Sequence, residues 1–70
     1  VQQREWAERA LDAYGERGLL PALLEVAKLR LANPDASLEE LGRLCRPPIT
    51  KPAVADRLRR LGRLTEQRAG

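Results

Sequence analysis

The residues best suited to chemistry in this sequence are three arginines near its end, Arg59, Arg60 and Arg63, preceded by Lys51. A guanidinium group can donate two parallel hydrogen bonds to a phosphate, or to O6 and N7 of a guanine base. The sequence has no histidine to act as a general base, and its few hydroxyl side chains resemble caps or surface positions rather than activated nucleophiles. These residues therefore predict a site that binds anions, and they do not predict an enzyme.

A helix must position these arginines. At about 100° per residue, Val54, Leu58 and Leu61 share one apolar face, and the arginines lie on the opposite face. Thr50 is predicted to cap the helix through the N–H of Ala53, since Pro52 in the first turn has no N–H. Together with Lys51 and the free N–H groups of the first turn, Thr50 is expected to hold a phosphate. The predicted DNA-binding residues are Thr50, Lys51, Pro52, Ala55, Asp56, Arg59, Arg60 and Arg63.

Asp56 argues against strong reading of bases by this helix. Its carboxylate lies near the centre of the outward face, where it repels phosphate, although it can accept a hydrogen bond from a cytosine amino group. Pro52 and Ala55 offer little for base recognition. The pattern therefore predicts modest base specificity and a dominant grip on phosphates. Arg57, at the edge of the apolar face, is expected to pack its stem on the core and pair with a carboxylate.

The segment before this helix has the layout of the first half of a helix-turn-helix. Ser37 and Glu40 form an S-x-x-E capping box, which predicts a helix from Ser37 to about Cys45. Gly42 inside it predicts a close approach of the next helix. A turn with two prolines, Arg46 to Ile49, follows, and Ile49 is expected to fill a corner of the core. The inward residues are predicted to be Leu38, Leu41, Leu44 and Cys45.

Two further helices are predicted upstream. The first covers about Gln2–Tyr14 and ends at Gly15 and Gly18, with Trp6 either anchoring it to the other helices or contacting another domain. The second begins near Pro21 and ends by Asn33, because Pro34 disfavours helical geometry in the residue before it. Its apolar face is predicted from Leu20, Leu24, Ala27 and Leu31, widened by Leu23 and Val26. We therefore predict an all-α fold: one small four-helix domain over residues 1–70, with the helix-turn-helix at about 37–64.

Charge is unevenly distributed along the 70 residues. Residues 1–42 carry five basic and eight acidic side chains, whereas residues 43–70 carry eight basic and two acidic ones. This asymmetry favours a polyanion as partner of the second half, although solvated surface arginines would give the same pattern. The lone Cys45 is predicted to be a small core residue, and no cofactor, metal site, membrane span or signal peptide is expected. Because the sequence does not begin with Met, we expect it to be a fragment of a longer protein.

The stretch from Leu20 to Leu61 resembles the C-terminal domain of the WhiA proteins, bacterial regulators linked to sporulation and cell division. The resemblance is carried by LPALLEVAKLRLANPDASLEELGRL and PPITKPAVADRLRRL. It implies a helix-turn-helix similar to the fourth region of sigma factors, joined in the parent chain to an N-terminal domain like the LAGLIDADG homing endonucleases but without nuclease activity. It also implies DNA binding, and ties to RNA polymerase holoenzyme and to chromosome segregation.

The sequence departs from the family pattern on the face expected to meet DNA. Pro52 stands where the family usually has Ser, and Ala55-Asp56 where it usually has Asn-His, so the family's promoter specificity does not carry over. Our leading prediction is a cytoplasmic, nucleoid-associated DNA-binding regulator domain that works without a cofactor. The alternative is a protein-interaction module that binds RNA polymerase, a sigma factor or the N-terminal domain of its own chain.

Overall fold

The computed structural model describes residues 2–69, and the side chains of residues 2–66. Within that part of the chain it has four helices and no strand: α1 (Gln2–Gly18), α2 (Pro21–Ala32), α3 (Leu38–Leu44) and α4 (Lys51–Ala69). The predicted all-α, four-helix architecture is therefore confirmed. α4 packs against each of the other three helices, so the core lies around its inner face.

α1 is interrupted at Gly15, whose φ of 69° lies in the left-handed region that favours glycine. The predicted end near Tyr14 agrees with this break, but a further helical turn continues to Gly18. Ala7 and Ala10 are fully buried, and their small side chains let α1 lie close to its neighbours. Gly15 therefore redirects the chain toward α2 without ending the helix outright.

Two aromatic side chains attach α1 to α4. A methyl group added at Gly62 would lie only 2.7 Å from Trp6 Cε2, so the indole ring lies directly against the backbone of α4. Farther along, the Tyr14 hydroxyl donates a hydrogen bond to the carbonyl oxygen of Leu64 at 3.3 Å. Of the two roles considered for Trp6, the structure supports that of an anchor within this domain.

α2 begins at Pro21 and is followed by Asn33, as predicted. Its buried residues are Leu23, Val26, Ala27 and Arg30, so Ala27 and the widened side of the predicted apolar face are confirmed, whereas the face is centred closer to Leu23 and Val26 than predicted. Leu20 lies before the first helical turn with an extended backbone, and 67% of its surface is exposed. Because Leu20 is not in helical phase with the residues that follow, the face counted from it was rotated away from the core.

α3 has the predicted capping box. The Glu40 N–H donates to Ser37 Oγ at 3.1 Å, and the Ser37 N–H donates to Glu40 Oε1 at 3.0 Å. These hydrogen bonds hold the pKa of the Glu40 carboxyl below its ordinary value. Leu41 and Cys45 are buried as predicted, whereas Leu44 is 47% exposed, contrary to prediction. A helix this short packs along one narrow stripe, and Leu44 lies beside that stripe.

Gly42 lies where the chain passes closest to itself. A side chain there would overlap the carbonyl oxygen of Ile49 and would lie 3.4 Å from Val54 Cγ2. The Ile49 N–H also donates to the Gly42 carbonyl oxygen at 3.0 Å. The predicted close approach is confirmed, but the turn backbone is its main partner and α4 is the lesser one.

Replacing Ser37 with alanine is expected to lower the free energy of unfolding by about 1 kcal/mol, the usual cost of losing such a cap. The N–H of Glu40 would then have only water as a partner. Urea denaturation followed by circular dichroism measures the change, and Ser37→Thr, which keeps a hydroxyl, serves as the control. A Ser37→Ala variant with unchanged stability would mean that the capping hydrogen bonds contribute nothing net.

Candidate nucleic-acid interface

The turn between α3 and α4 is fixed by three hydrogen bonds, two to α3 and one to α2. The Cys45 N–H donates to the Leu41 carbonyl oxygen at 3.2 Å, and Ile49 is tied to Gly42. The third bond comes from α2, where Glu25 Oε2 accepts from the Arg46 N–H at 2.9 Å. The Arg46–Pro47 peptide bond is cis. The hydrogen bonds to Gly42 and Glu25 set the start of α4 relative to both α3 and α2.

The inner face of α4 is the one that the sequence predicts. Val54, Leu58 and Leu61 are at most 1% exposed, and they form the centre of the core. At the start of the helix, the Thr50 carbonyl oxygen accepts from the Val54 N–H at 3.1 Å. The predicted cap through the Thr50 side chain is wrong, because no side-chain hydrogen bond of Thr50 is present among the described residues. Its hydroxyl is exposed and remains available to another partner.

The outer face of α4 carries the residues predicted to meet DNA. Six of the eight are exposed: Thr50, Lys51, Pro52, Arg59, Arg60 and Arg63. The other two, Ala55 and Asp56, are half-buried. The structure thus places the eight residues along the start and the outward side of one helix, opposite the buried leucines.

Asp56 is not an isolated carboxylate. Its Oδ2 lies 3.1 Å from Arg60 Nε, and the two residues are one helical turn apart. Both side chains are about half exposed, at 48% for Asp56 and 58% for Arg60. In this ion pair the guanidinium charge offsets part of the repulsion that a lone carboxylate would exert on a phosphate. Sequence reasoning overlooked it, although opposite charges four residues apart on a helix are the usual signal.

Arg59 and Arg63 keep their charges unpaired. Within the described part of the chain, neither lies within 4.0 Å of a carboxylate, and the same holds for Lys51. The other four ion pairs among the described residues all involve exposed acidic residues of α1 and α3: Arg4–Glu8, Arg9–Glu5, Lys28–Glu16 and Arg43–Glu39. The acidic first half therefore neutralises much of its own charge, and α4 presents cations to solvent.

Arg57 differs from its prediction. It is half-buried at the side of a cleft between α2 and the turn, and it makes no ion pair among the described residues. The nearby Glu25 carboxylate instead accepts the hydrogen bond from the backbone of the turn. The cleft is lined by Pro21, Ala22, Glu25, Arg46, Pro47, Ile49 and Arg57.

Arg30 is a structural residue that sequence reasoning missed. It is 6% exposed, and its Nη2 donates to the carbonyl oxygens of Asn33, Pro34 and Ala36 at 2.8, 2.9 and 2.6 Å. Its Nη1 also donates to Gln3 Oε1 at 3.2 Å. The sequence does contain a signal for this role, because Arg30 lies on the same helical face as the buried Leu23, Val26 and Ala27. Arg30 fixes the connection from α2 to α3, and through it the first helix of the helix-turn-helix.

Cys45 is buried, as predicted, and desolvation together with the nearby Glu25 carboxylate raises the pKa of its thiol. Among the described residues no cluster of His, Cys, Asp or Glu is large enough to hold a metal ion. None of the helices in that part is both long and apolar enough to cross a membrane.

Comparison with known proteins places these features in a family. The family model described as "WhiA C-terminal HTH domain" matches residues 1–65, a longer stretch than the Leu20–Leu61 resemblance, so the first helix belongs to the match. A "Probable cell division protein WhiA" of Symbiobacterium thermophilum is 61% identical over 62 residues, 86% of this chain and 19% of the relative. Its namesake in Kocuria rhizophila is 52% identical over 63 residues, 89% of this chain and 18% of the relative.

A third relative of that name, from Carboxydothermus hydrogenoformans, is 46% identical over 67 residues, 96% of this chain and 22% of the relative. The chain therefore spans about a fifth of the length of the curated relatives that it matches. No solved structure matches it.

Proposed function

The chain belongs to the WhiA family through its C-terminal helix-turn-helix domain, and from this premise we propose that it binds double-stranded DNA with α4 in the major groove. A single observation supports the proposal most directly: α4 buries Val54, Leu58 and Leu61 on one face, and on the other it carries Arg59 and Arg63, which have no carboxylate partner in the described part of the chain. An exposed guanidinium without a carboxylate partner is free to take a phosphate as its partner. The domain then acts by binding, and no catalytic step is assigned to it.

Six of the eight predicted residues have a direct role in this proposal. Arg59 and Arg63 grip phosphates from the outward side of α4. Thr50, Lys51 and the free N–H groups of the first turn hold a phosphate at the start of the helix. Pro52 and Ala55, which have no side-chain donor or acceptor, permit close approach of the groove but read little of its hydrogen-bond pattern. α3 crosses above α4 in this arrangement, which is the usual docking of a helix-turn-helix.

The role of the whole protein is a further proposal. The curated relatives are named as probable cell division proteins, and each is about five times as long as this chain. We infer a parent regulator that acts on transcription in cell division, chromosome segregation and sporulation, in the cytoplasm and associated with the nucleoid. Residues 1–70 would be one domain of it, with the helix-turn-helix proper at about 37–64, beside an N-terminal LAGLIDADG-like domain.

The test is a fluorescence anisotropy titration of labelled duplexes at several salt concentrations. Wild-type binding should weaken steeply as salt increases, because each phosphate contact releases counterions. Arg59→Ala and Arg63→Ala should each weaken binding to every duplex and reduce the slope of log K against log salt by about 1. Arg9→Ala, on the surface of α1, removes the same charge and is the matched control.

The result that contradicts the proposal is equally specific. If the double variant Arg59→Ala/Arg63→Ala binds all duplexes as tightly as wild type, then α4 does not hold the DNA. Equal weakening in Arg9→Ala would mean that net charge alone governs the binding. Either outcome would remove the assignment of the interface to the outer face of α4.

A second candidate function is interaction with another protein, and an exposed apolar groove favours it. Among the described residues Leu20 is the most exposed large apolar side chain. It borders a groove lined by Leu19, Leu23 and Leu64, with Arg60 and Arg63 at its edge. An RNA polymerase holoenzyme or sigma factor is the partner to test, by pull-down in the absence of nucleic acid. Retention by wild type but not by Leu20→Asp would support this function, and no retention would count against it.

A further inference from the structure

We propose that Asp56 and Arg60 act together as one base-reading unit, in which the carboxylate fixes the guanidinium through Nε while the two terminal nitrogens bind O6 and N7 of a guanine. This proposal rests on DNA binding by α4 and adds to it the residue pair that sets specificity. A carboxylate at this position would by itself repel phosphate. The proposal therefore gives Asp56 a function, which is to orient Arg60.

The geometry of the ion pair leaves the reading edge of Arg60 open. The short contact joins Asp56 Oδ2 to Nε of Arg60, at 3.1 Å. A guanidinium presents two edges that can bind two acceptors at once, one formed by Nε with a terminal nitrogen and one formed by both terminal nitrogens. In this ion pair the carboxylate oxygen lies beside Nε, at the first edge. The second edge remains free for the paired acceptors of a guanine.

A fixed guanidinium suits a base better than a phosphate. Phosphates recur along the whole backbone and accept a hydrogen bond from many directions, so a flexible arginine finds one easily. The O6 and N7 of one guanine occupy a single place in the groove, and an arginine that is already oriented loses less freedom on reaching them. Arg60 has a carboxylate partner, whereas Arg59 and Arg63 have none within 4.0 Å in the described part of the chain. The three arginines therefore divide into one reader and two phosphate contacts.

The local charge supports the same division. The Asp56–Arg60 pair is neutral overall, so it adds little to a sequence-independent attraction for DNA. Replacing Asp56 with asparagine makes the face more positive, and binding to any duplex should become tighter. If Asp56 merely repels phosphate, discrimination between sequences will not change. If Asp56 orients Arg60, discrimination between sequences will decrease while the affinity for any duplex increases. These opposite changes in specificity and affinity distinguish the proposal from simple repulsion.

The experiment uses duplexes selected by the wild-type chain from a random-sequence library, with each selected guanine replaced in turn by 7-deazaguanine. This analogue lacks N7 and keeps O6, so it removes one of the two acceptors. Inosine, which keeps both acceptors and loses only the minor-groove amino group, is the matched control at each position. Affinities are measured by anisotropy for wild type, Asp56→Asn, Arg60→Ala and Arg63→Ala, with circular dichroism to verify that each variant is folded.

We expect one guanine at which 7-deazaguanine weakens wild-type binding roughly tenfold and inosine does not, which is the range of one bidentate base contact. That penalty should disappear in Arg60→Ala, should decrease several-fold in Asp56→Asn, and should persist in Arg63→Ala. Asp56→Asn should at the same time bind scrambled duplex more tightly than wild type does.

Two results would overturn the proposal while leaving DNA binding in place. One is an unchanged 7-deazaguanine penalty in Asp56→Asn or in Arg60→Ala. The other is salt-dependent wild-type binding with no position sensitive to 7-deazaguanine. A wild-type chain that binds no duplex even at low salt would overturn the proposed function itself, and the Asp56–Arg60 proposal with it.

Discussion

Replacement of Gly42 with alanine is expected to lower the free energy of unfolding by about 3 kcal/mol, which is most of the stability that a domain of this size usually has. Helix propensity alone would predict that alanine raises the free energy of unfolding by up to about 1 kcal/mol, since Gly42 lies inside α3. The added methyl group, however, would overlap the carbonyl oxygen of Ile49. That oxygen belongs to the backbone of the turn, so the conflict cannot be relieved by rotating a side chain.

The overlap would force the turn away from α3. Doing so would break the hydrogen bond from the Ile49 N–H to the Gly42 carbonyl oxygen and separate α3 from Val54. Urea denaturation gives the free energy, and Arg43→Ala is the control. That variant places alanine at the next position of the same helix and loses only the exposed Arg43–Glu39 ion pair, worth about 0.5 kcal/mol or less. If Gly42→Ala were as stable as wild type, the carbonyl group of Ile49 would not lie as close to Gly42 as the structure shows.

Arg30→Met is expected to destabilise the fold by about 3 kcal/mol, because the carbonyl oxygens of Asn33, Pro34 and Ala36 would lose a charged donor. All three now accept from one terminal nitrogen, which carries two hydrogens, so at least one hydrogen is shared. Methionine keeps much of the apolar stem and the helix propensity of arginine. The loss therefore measures the hydrogen bonds more than the packing.

The control for Arg30→Met is Lys28→Met, which makes a similar change on the exposed side of α2. Its lost ion pair with Glu16 lies at the surface, and its removal should cost less than about 1 kcal/mol. Thermal and urea denaturation both measure the difference. If the two variants were equally stable, the connection from α2 to α3 would not depend on Arg30. If Arg30→Met is folded but binds DNA more weakly, the position of α3 will have been shown to matter for binding.

The parts of the fold that the sequence predicts well are those with a local cause. The capping box at Ser37, Pro21 in a first turn and the 3.6-residue spacing of Val54, Leu58 and Leu61 each depend on residues within a few positions of one another. All of these are confirmed. The errors at Leu20 and Leu44 have different origins: Leu20 precedes the first helical turn and was counted as if it were in phase with α2, whereas the exposure of Leu44 depends on which neighbouring helix is present on that side. Leucine spacing alone does not carry that information.

In the candidate site, too, the features with a local cause were predicted and those that depend on distant residues were not. Exposure of Arg59, Arg60 and Arg63 follows from their position opposite the buried face, and it was predicted. The Asp56–Arg60 pair was open to prediction from its spacing, yet the carboxylate was treated by itself. Arg30 was counted only as a positive charge, because its acceptors are three carbonyl groups of a loop whose path cannot be derived from side-chain patterns.

The contact between Trp6 and Gly62 also makes the chain an optical probe of its own state. Trp6 is the only tryptophan, and its indole ring lies against Gly62, which is buried in α4. Its emission therefore reports on the contact between α1 and α4. A change in its spectrum on adding DNA would show that binding alters the surroundings of this contact, whereas a constant spectrum would indicate a rigid body that docks without rearranging.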